Sequence, residues 1–178
     1  MYRDNSLIPT EAVRLAALGE RAQSPRRYAD LAVAVRHFVQ RLVGPSLDLL
    51  GPSLELLRIE GLIAPVAGRG FDDNALLELT VSGRAALSRL LLAPLKIQGS
   101  ELNRLVVALK LRFLDQVSSA DRADQLDLLA DALTGERARL ADLKAATDAA
   151  SPLGSWLDLE LGQIDAKIAW CERLRTSA

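Results

Sequence analysis

The side chains best suited to chemistry in this chain are cations and hydroxyls that can meet phosphate. Arg26, Arg27 and Tyr28 stand together just after Ser24-Pro25, Ser46 and Ser53 lie along a leucine-rich stretch, Arg58 closes that stretch, and Arg69 sits between two glycines. Lys and Arg neutralise phosphate as charges, while hydroxyls and the amides of a helix start donate hydrogen bonds to its oxygens. A plainer reading stands beside this one: Arg26 and Arg27 as ordinary solvated residues, and Ser46 as only a helix cap. Other chemistry finds no support. His37 is the sole histidine and has no Cys, Asp or Glu cluster around it, so no metal site is expected. There is no supported Ser-His-Asp set and no phosphate-gripping glycine loop; Gly68-x-Gly70 reads as a turn, and neither catalysis nor a cofactor is expected. Cys171, the single cysteine, lies at helical spacing among apolar residues and reads as a small packed side chain.

The elements that position these residues can be read from punctuation and periodicity. Pro9 and Thr10 open a helix running to about Ala22, and Ser24-Pro25 reads as the start of a second, with serine as cap and proline first in the helix. Along it Tyr28, Leu31, Val35, Phe38 and Leu42 recur at spacings of three and four, while Arg27, Asp30, Ala34, His37 and Arg41 share the other face. After Gly44-Pro45 a third helix is expected from near Ser46 to Gly61, across a tandem repeat of GPSLDLL and GPSLELL. Leu62 to Val66 reads as a strand whose Pro65 implies an edge position, Ala67 to Asn74 as a wing loop, Ala75 to Leu79 as the partner strand, and Thr80 as the cap of a fourth helix reaching Leu92. Helices followed by a two-stranded wing and another helix make a winged helix-turn-helix, assigned to residues 1–95.

Residues 96–178 are helical in pattern throughout. Leu102, Leu105, Val106, Leu109, Phe113, Leu114 and Val117 form one stripe, Ser119 is a plausible cap for a long helix, and Ser151-Pro152-Leu153-Gly154 turns the chain back. In the last helix Leu157, Leu161, Ile164, Ile168, Cys171 and Leu174 follow near-heptad spacing. An antiparallel pair of helices covers only part of its own apolar surface, so a homodimer is expected, formed through Leu157, Leu161, Ile164, Ile168, Trp170 and Cys171. Trp156 and Trp170 read chiefly as core packing, with the lining of an effector pocket as the other possibility. The fold class is therefore mainly α: an N-terminal winged helix-turn-helix with a two-stranded wing, followed by a C-terminal antiparallel helical dimerisation region.

Composition bounds the partners. The chain has 178 residues, 49% of them hydrophobic and 4% aromatic, which suits helix-on-helix cores built from leucine and alanine. Lys plus Arg at 22 against Asp plus Glu at 23 leaves a net charge of −1, so no overall field draws it to nucleic acid or an anionic membrane, and any such binding must be local. The first residues lack the basic start and apolar run of a signal peptide, and no apolar stretch approaches the roughly 18 residues needed to span a bilayer. A cytoplasmic location is expected.

With these residues in view, the chain resembles the PadR family of bacterial winged-helix regulators. Ser46, Leu50, Pro52, Leu54, Leu57, Glu60, Gly61, Leu62 and Ile63 fall on that family's reading-helix pattern; Leu79-Thr80 with Gly83-Arg84-Ala85-Ala86-Leu87 is similar to its strand-to-helix passage. Leu159-Glu160-Leu161-Gly162 and Ile168 to Leu174 are similar to its last helix. The resemblance implies a dimeric transcription regulator that binds double-stranded operator DNA, commonly as a repressor. It also puts Leu49 where a threonine or serine usually faces the DNA backbone, Gly51 where a tyrosine stands, and Glu55-Leu56 where a basic pair stands. The wing sets Arg69 against Asp72 and Asp73. Those departures keep a second expectation open, that the winged domain binds another protein and little or no DNA.

Overall fold

Helix α1 (Pro9–Gln23) is buried on nearly every side, and the first half of the molecule is arranged around it. Its alanines and leucines let the neighbouring elements pack closely, and even Glu20 and Arg21 are buried. In the computed structural model the described residues are 7–24, 26–43, 50–66, 75–95 and 101–177. Pro9 occupies the first turn of α1, and the Glu11 carboxylate reaches back to accept from the backbone N–H of Ile8 at 3.0 Å. After α1 come β1 (Arg26–Arg27), α2 (Tyr28–Val43), α3 (Leu50–Ile59), β2 (Ile63–Pro65), β3 (Leu76–Leu79), α4 (Val81–Leu92) and α5 (Glu101–Arg112). A short 3-10 turn at Leu114–Gln116 precedes the long helices α6 (Ser119–Ala145) and α7 (Pro152–Ser177).

Local chemistry explains most boundaries. Gly61 has φ +67, its N–H bonds the carbonyl of Arg58 at 3.0 Å, and the N–H of Leu62 bonds that of Leu57 at 2.9 Å. This is the left-handed glycine cap that ends α3 and releases the chain into β2. Thr80 caps α4: its hydroxyl oxygen accepts from the Gly83 N–H at 2.9 Å and its proton goes to the Gly61 carbonyl at 2.7 Å. One threonine thereby joins the exit of α3 to the entry of α4. Gly83 is obligatory there, because a Cβ would run into the carbonyl of Leu62.

Two expectations shift. The second helix does not start at Ser24, which is the C-cap of α1, and Arg26–Arg27 add a third strand to the sheet, whose order is β1-β3-β2. The free side of β3 offers backbone donors and acceptors, and pairing there (Arg26 with Leu77, Arg27 with Leu76) delays α2 to Tyr28. The wing pair itself is antiparallel, Ile63 opposite Leu79 and Pro65 opposite Leu77, with Pro65 on an edge strand. On α2 the buried line is Leu31, Val35, Val39 and Val43, while Tyr28, Phe38 and Leu42 are half-buried.

Backbone contacts divide the chain into two compact units: the first holds the residues up to Pro94 and, with α5, those up to Val117; the second holds Leu95 and the residues from Ser118 on. Helix α5 joins the winged unit because its stripe of Leu105, Val106 and Leu109, continued by Phe113, packs on α1 and α2. The Phe113 ring occupies the space beside Gly19 where any Cβ would collide. Arg112 lies over Phe38, 4.8 Å from its centroid, and pairs with the buried Glu20 at 2.6 Å. Lys110, only 3% exposed, donates from Nζ to the carbonyl of Leu91 at 2.7 Å and to that of Ala93, capping the end of α4. Burial lowers its pKa from the ordinary 10.5 to about 8.

The second unit is an antiparallel hairpin of α6 and α7. Ser118 caps α6, accepting from the Asp121 N–H at 3.1 Å, one residue before the expected Ser119. Leu157, Ile164 and Cys171, seven residues apart, are buried on α7. The pairs Arg137–Asp165, Lys144–Asp158 and Arg175–Asp127 flank the hairpin, one residue number rising as its partner's falls.

Candidate nucleic-acid interface

Three of the residues suited to phosphate come from neighbouring elements of the winged unit. Arg27 is exposed on β1, held in extended backbone by its pairing with Leu76, itself exposed. Tyr28, half-buried, begins α2, whose first-turn amides have no partner within the helix. Arg58 stands exposed near the end of α3. Its Nε donates to Glu55 Oε1 at 2.8 Å, and its Nη2 donates to the same oxygen. That carboxylate holds the guanidinium above its ordinary range, first by hydrogen bonding and then by charge, and Tyr28 adds a smaller effect of the same sign.

The same end of α3 carries a second internal pair. Glu60, just past the helix, is bonded by Arg14 of α1. Between these pairs the helix exposes Leu56 at 42% and Ile59 at 69%, so its surface mixes neutralised charge with aliphatic side chains. Arg26 lies in β1 and Ser53 in α3, but their side chains are outside the described set; Ser46, Leu49 and Arg69, with Asp72 and Asp73, lie outside the described residues altogether. His37 is exposed on α2, and among the described residues no group of His, Cys, Asp and Glu could hold a metal ion.

Of the residues expected at a subunit contact, Leu157, Ile164 and Cys171 are spent on packing within the second unit, and Leu161 and Ile168 are half-buried. Burial pushes the Cys171 thiol up, away from a reactive thiolate. Trp170 is 39% exposed, together with Trp156 at 49% and Leu159 at 58%. No helix among the described residues is long and apolar enough to cross a membrane.

Residues 2–175 match the family described as "Putative AphA-like transcriptional regulator". The chain belongs to this family. It is a transcriptional regulator and not an enzyme. No curated protein matches the regulator. Solved structures of Bacillus subtilis PadR are similar to it: the protein alone at 19% identity and TM-score 0.39, covering 97% of each chain, and its complex with operator DNA at 20% and 0.35, covering 92% of this chain and 97% of that one. Its complex with p-coumaric acid follows at 19% and 0.36, covering 93% and 98%.

Sequence reasoning missed Arg14 and Lys110, and it named Glu60 in the reading-helix pattern without its partner. Arg14 and Glu60 are far apart in sequence and nothing local links them. Lys110 had a signal, since it follows Leu109 inside the apolar stripe that runs from Leu105 to Phe113.

Proposed function

We propose that this regulator is a homodimeric repressor that binds operator DNA through its winged unit, in the cytoplasm and without a cofactor. The observation that carries the reading is the order of helices and paired strands from α1 to α4 in a chain of a regulator family, with Arg27 and Arg58 exposed on β1 and α3. Arg26, Ser46, Leu49, Ser53 and Arg69 are assigned to the same role from the sequence alone. Dimerisation is assigned to the outer face of α7, where Trp156, Leu159 and Trp170 remain exposed after the hairpin has closed, with Leu161 and Ile168 at its margin. The domain roles follow: a winged DNA-binding part first, a helical dimerisation part second.

The test is a fluorescence titration of the full chain on random duplex and on genomic fragments from its own promoter region, each at two salt concentrations. With so few cations the dependence of log affinity on log salt should be shallow, about −0.9 per phosphate contacted. Changing Arg26 and Arg27 together to alanine should lower both affinity and slope; changing Asp72 and Asp73 to lysine should raise affinity for any duplex. Absence of binding to every duplex at low salt would transfer the function to a second reading, a protein-interaction module. That reading is favoured by the internal pairs Arg58–Glu55 and Arg14–Glu60 and by the exposed Leu56 and Ile59.

A further inference from the structure

We propose that Glu55 sets how tightly, and with what salt dependence, the third helix meets duplex DNA, by occupying the Arg58 guanidinium that phosphate would otherwise take. The inference rests on the DNA-binding reading above and concerns its regulation by one side chain. A guanidinium grips carboxylate and phosphate through the same planar fork of N–H donors. In Arg58 two nitrogens of that fork, Nε and Nη2, already donate to one oxygen of Glu55. The two residues lie three apart on α3, an offset that keeps both on one helix face, so the carboxylate is within reach of the cation.

Both partners are open to solvent, 39% exposed for Arg58 and 44% for Glu55. An exposed pair of this kind is weak and exchanges readily, so it can yield to phosphate. The exchange has two consequences. Arg58 gains a phosphate only by giving up a carboxylate, which reduces the net gain; and Glu55 is left as an uncompensated negative charge near the DNA backbone. The neighbouring carboxylate, Glu60, is bonded by Arg14 from another helix, and Glu55 is bonded to Arg58.

The experiment uses the full chain and a fluorescein-labelled random-sequence duplex across several salt concentrations, with Glu55→Gln, Arg58→Ala and the double variant. Glu55→Gln keeps the length and helix propensity of the residue, and circular dichroism checks that helicity is unchanged; Glu55→Ala is the second variant should the first fold poorly. Glu55→Gln should bind about threefold tighter at low salt and steepen the salt slope by about 0.9 per subunit, as one more cation becomes available. In the Arg58→Ala background the same change should have little effect. Binding by Glu55→Gln where the wild type is silent also supports the proposal.

Four results would overturn it. An unchanged affinity with a binding wild type removes the competition while leaving the DNA reading intact. A gain that persists undiminished without Arg58 reduces Glu55 to simple repulsion. A weakened Glu55→Gln means that the carboxylate itself meets a base edge, as a glutamate can at cytosine. Silence from both wild type and Glu55→Gln on every duplex removes the DNA reading and this inference with it.

Discussion

The winged unit and the helical hairpin bury their apolar residues in different ways. In the first, α1 is enclosed by other helices and the sheet, and Leu15, Leu18, Leu31, Leu57, Leu77 and Phe113 are sealed from solvent. In the second, α7 buries one line of residues and still exposes Trp156, Leu159 and Trp170, while α6 exposes Leu128 and Leu143. An element surrounded by neighbours gives a unit an inside; two helices alone share a seam, and each keeps another apolar face. The lesson is that stability should be intrinsic to the winged unit and conditional on a cover in the hairpin.

The largest test of this difference is where the chain is cut. A fragment of residues 1–117 should melt cooperatively and elute as a monomer, because α5 and Phe113 stay with α1. A fragment of residues 1–95 loses them and should aggregate or melt without a transition. Circular dichroism and size-exclusion chromatography read the outcome, and equal behaviour of the two fragments would break the comparison.

Within the winged unit, Phe113→Ala should cost about 3–5 kcal/mol in urea unfolding, since the ring fills the space beside Gly19 and no small residue can replace it. In the hairpin, Ile164→Ala should lower stability by about 2–5 kcal/mol, whereas Trp156→Ser with Trp170→Ser should leave helicity intact and shift the protein toward monomer. Sedimentation measures that shift. Monomer in the wild type, or an unshifted dimer in the tryptophan variant, would reassign the outer face of α7.

The smallest effect concerns Lys110. Its folded pKa, about 8, lies below its ordinary 10.5, so below pH 8 both folded and unfolded chains carry the charge and the folded one bears the full desolvation penalty. As pH rises from about 8 to about 10.5 the folded state sheds its proton first, and stability should rise. Lys110→Met should remove this rise while the titration of other groups is unchanged, so the difference between the two denaturation profiles isolates it. Parallel profiles would show that Lys110 keeps an ordinary pKa.

Legibility followed the range of the interaction. The glycine end of α3, the Thr80 cap of α4, the wing strands and the three-four rhythm of the last helix all depend on neighbours in sequence, and each was readable. What failed depended on distant partners. The short strand Arg26–Arg27 exists because β3 has an unpaired side, which outweighs a good local helix-start signal. The membership of α5 turns on Phe113 meeting Gly19, and the role of Lys110 on the end of α4. At the candidate interface Arg58 was legible as a cation, but its pairing with Glu55 needed the observation that three residues place both on one face. The heptad line of α7 was legible too; which partner uses it was not, since α6 takes its centre.

The pairing of Arg27 with Leu76 also limits how this protein can change over evolutionary time. Side chains directly opposite in a ladder share a face, and Leu76 is on the outer one, with buried Leu77 on the inner. Because strand side chains alternate, adding or removing a single residue between Ser24 and Tyr28 would carry Arg27 to the core side of the sheet. Related regulators should therefore tolerate exchanges of residue type in this connector far more readily than a change in its length, although the sequence alone reads it as the start of a helix.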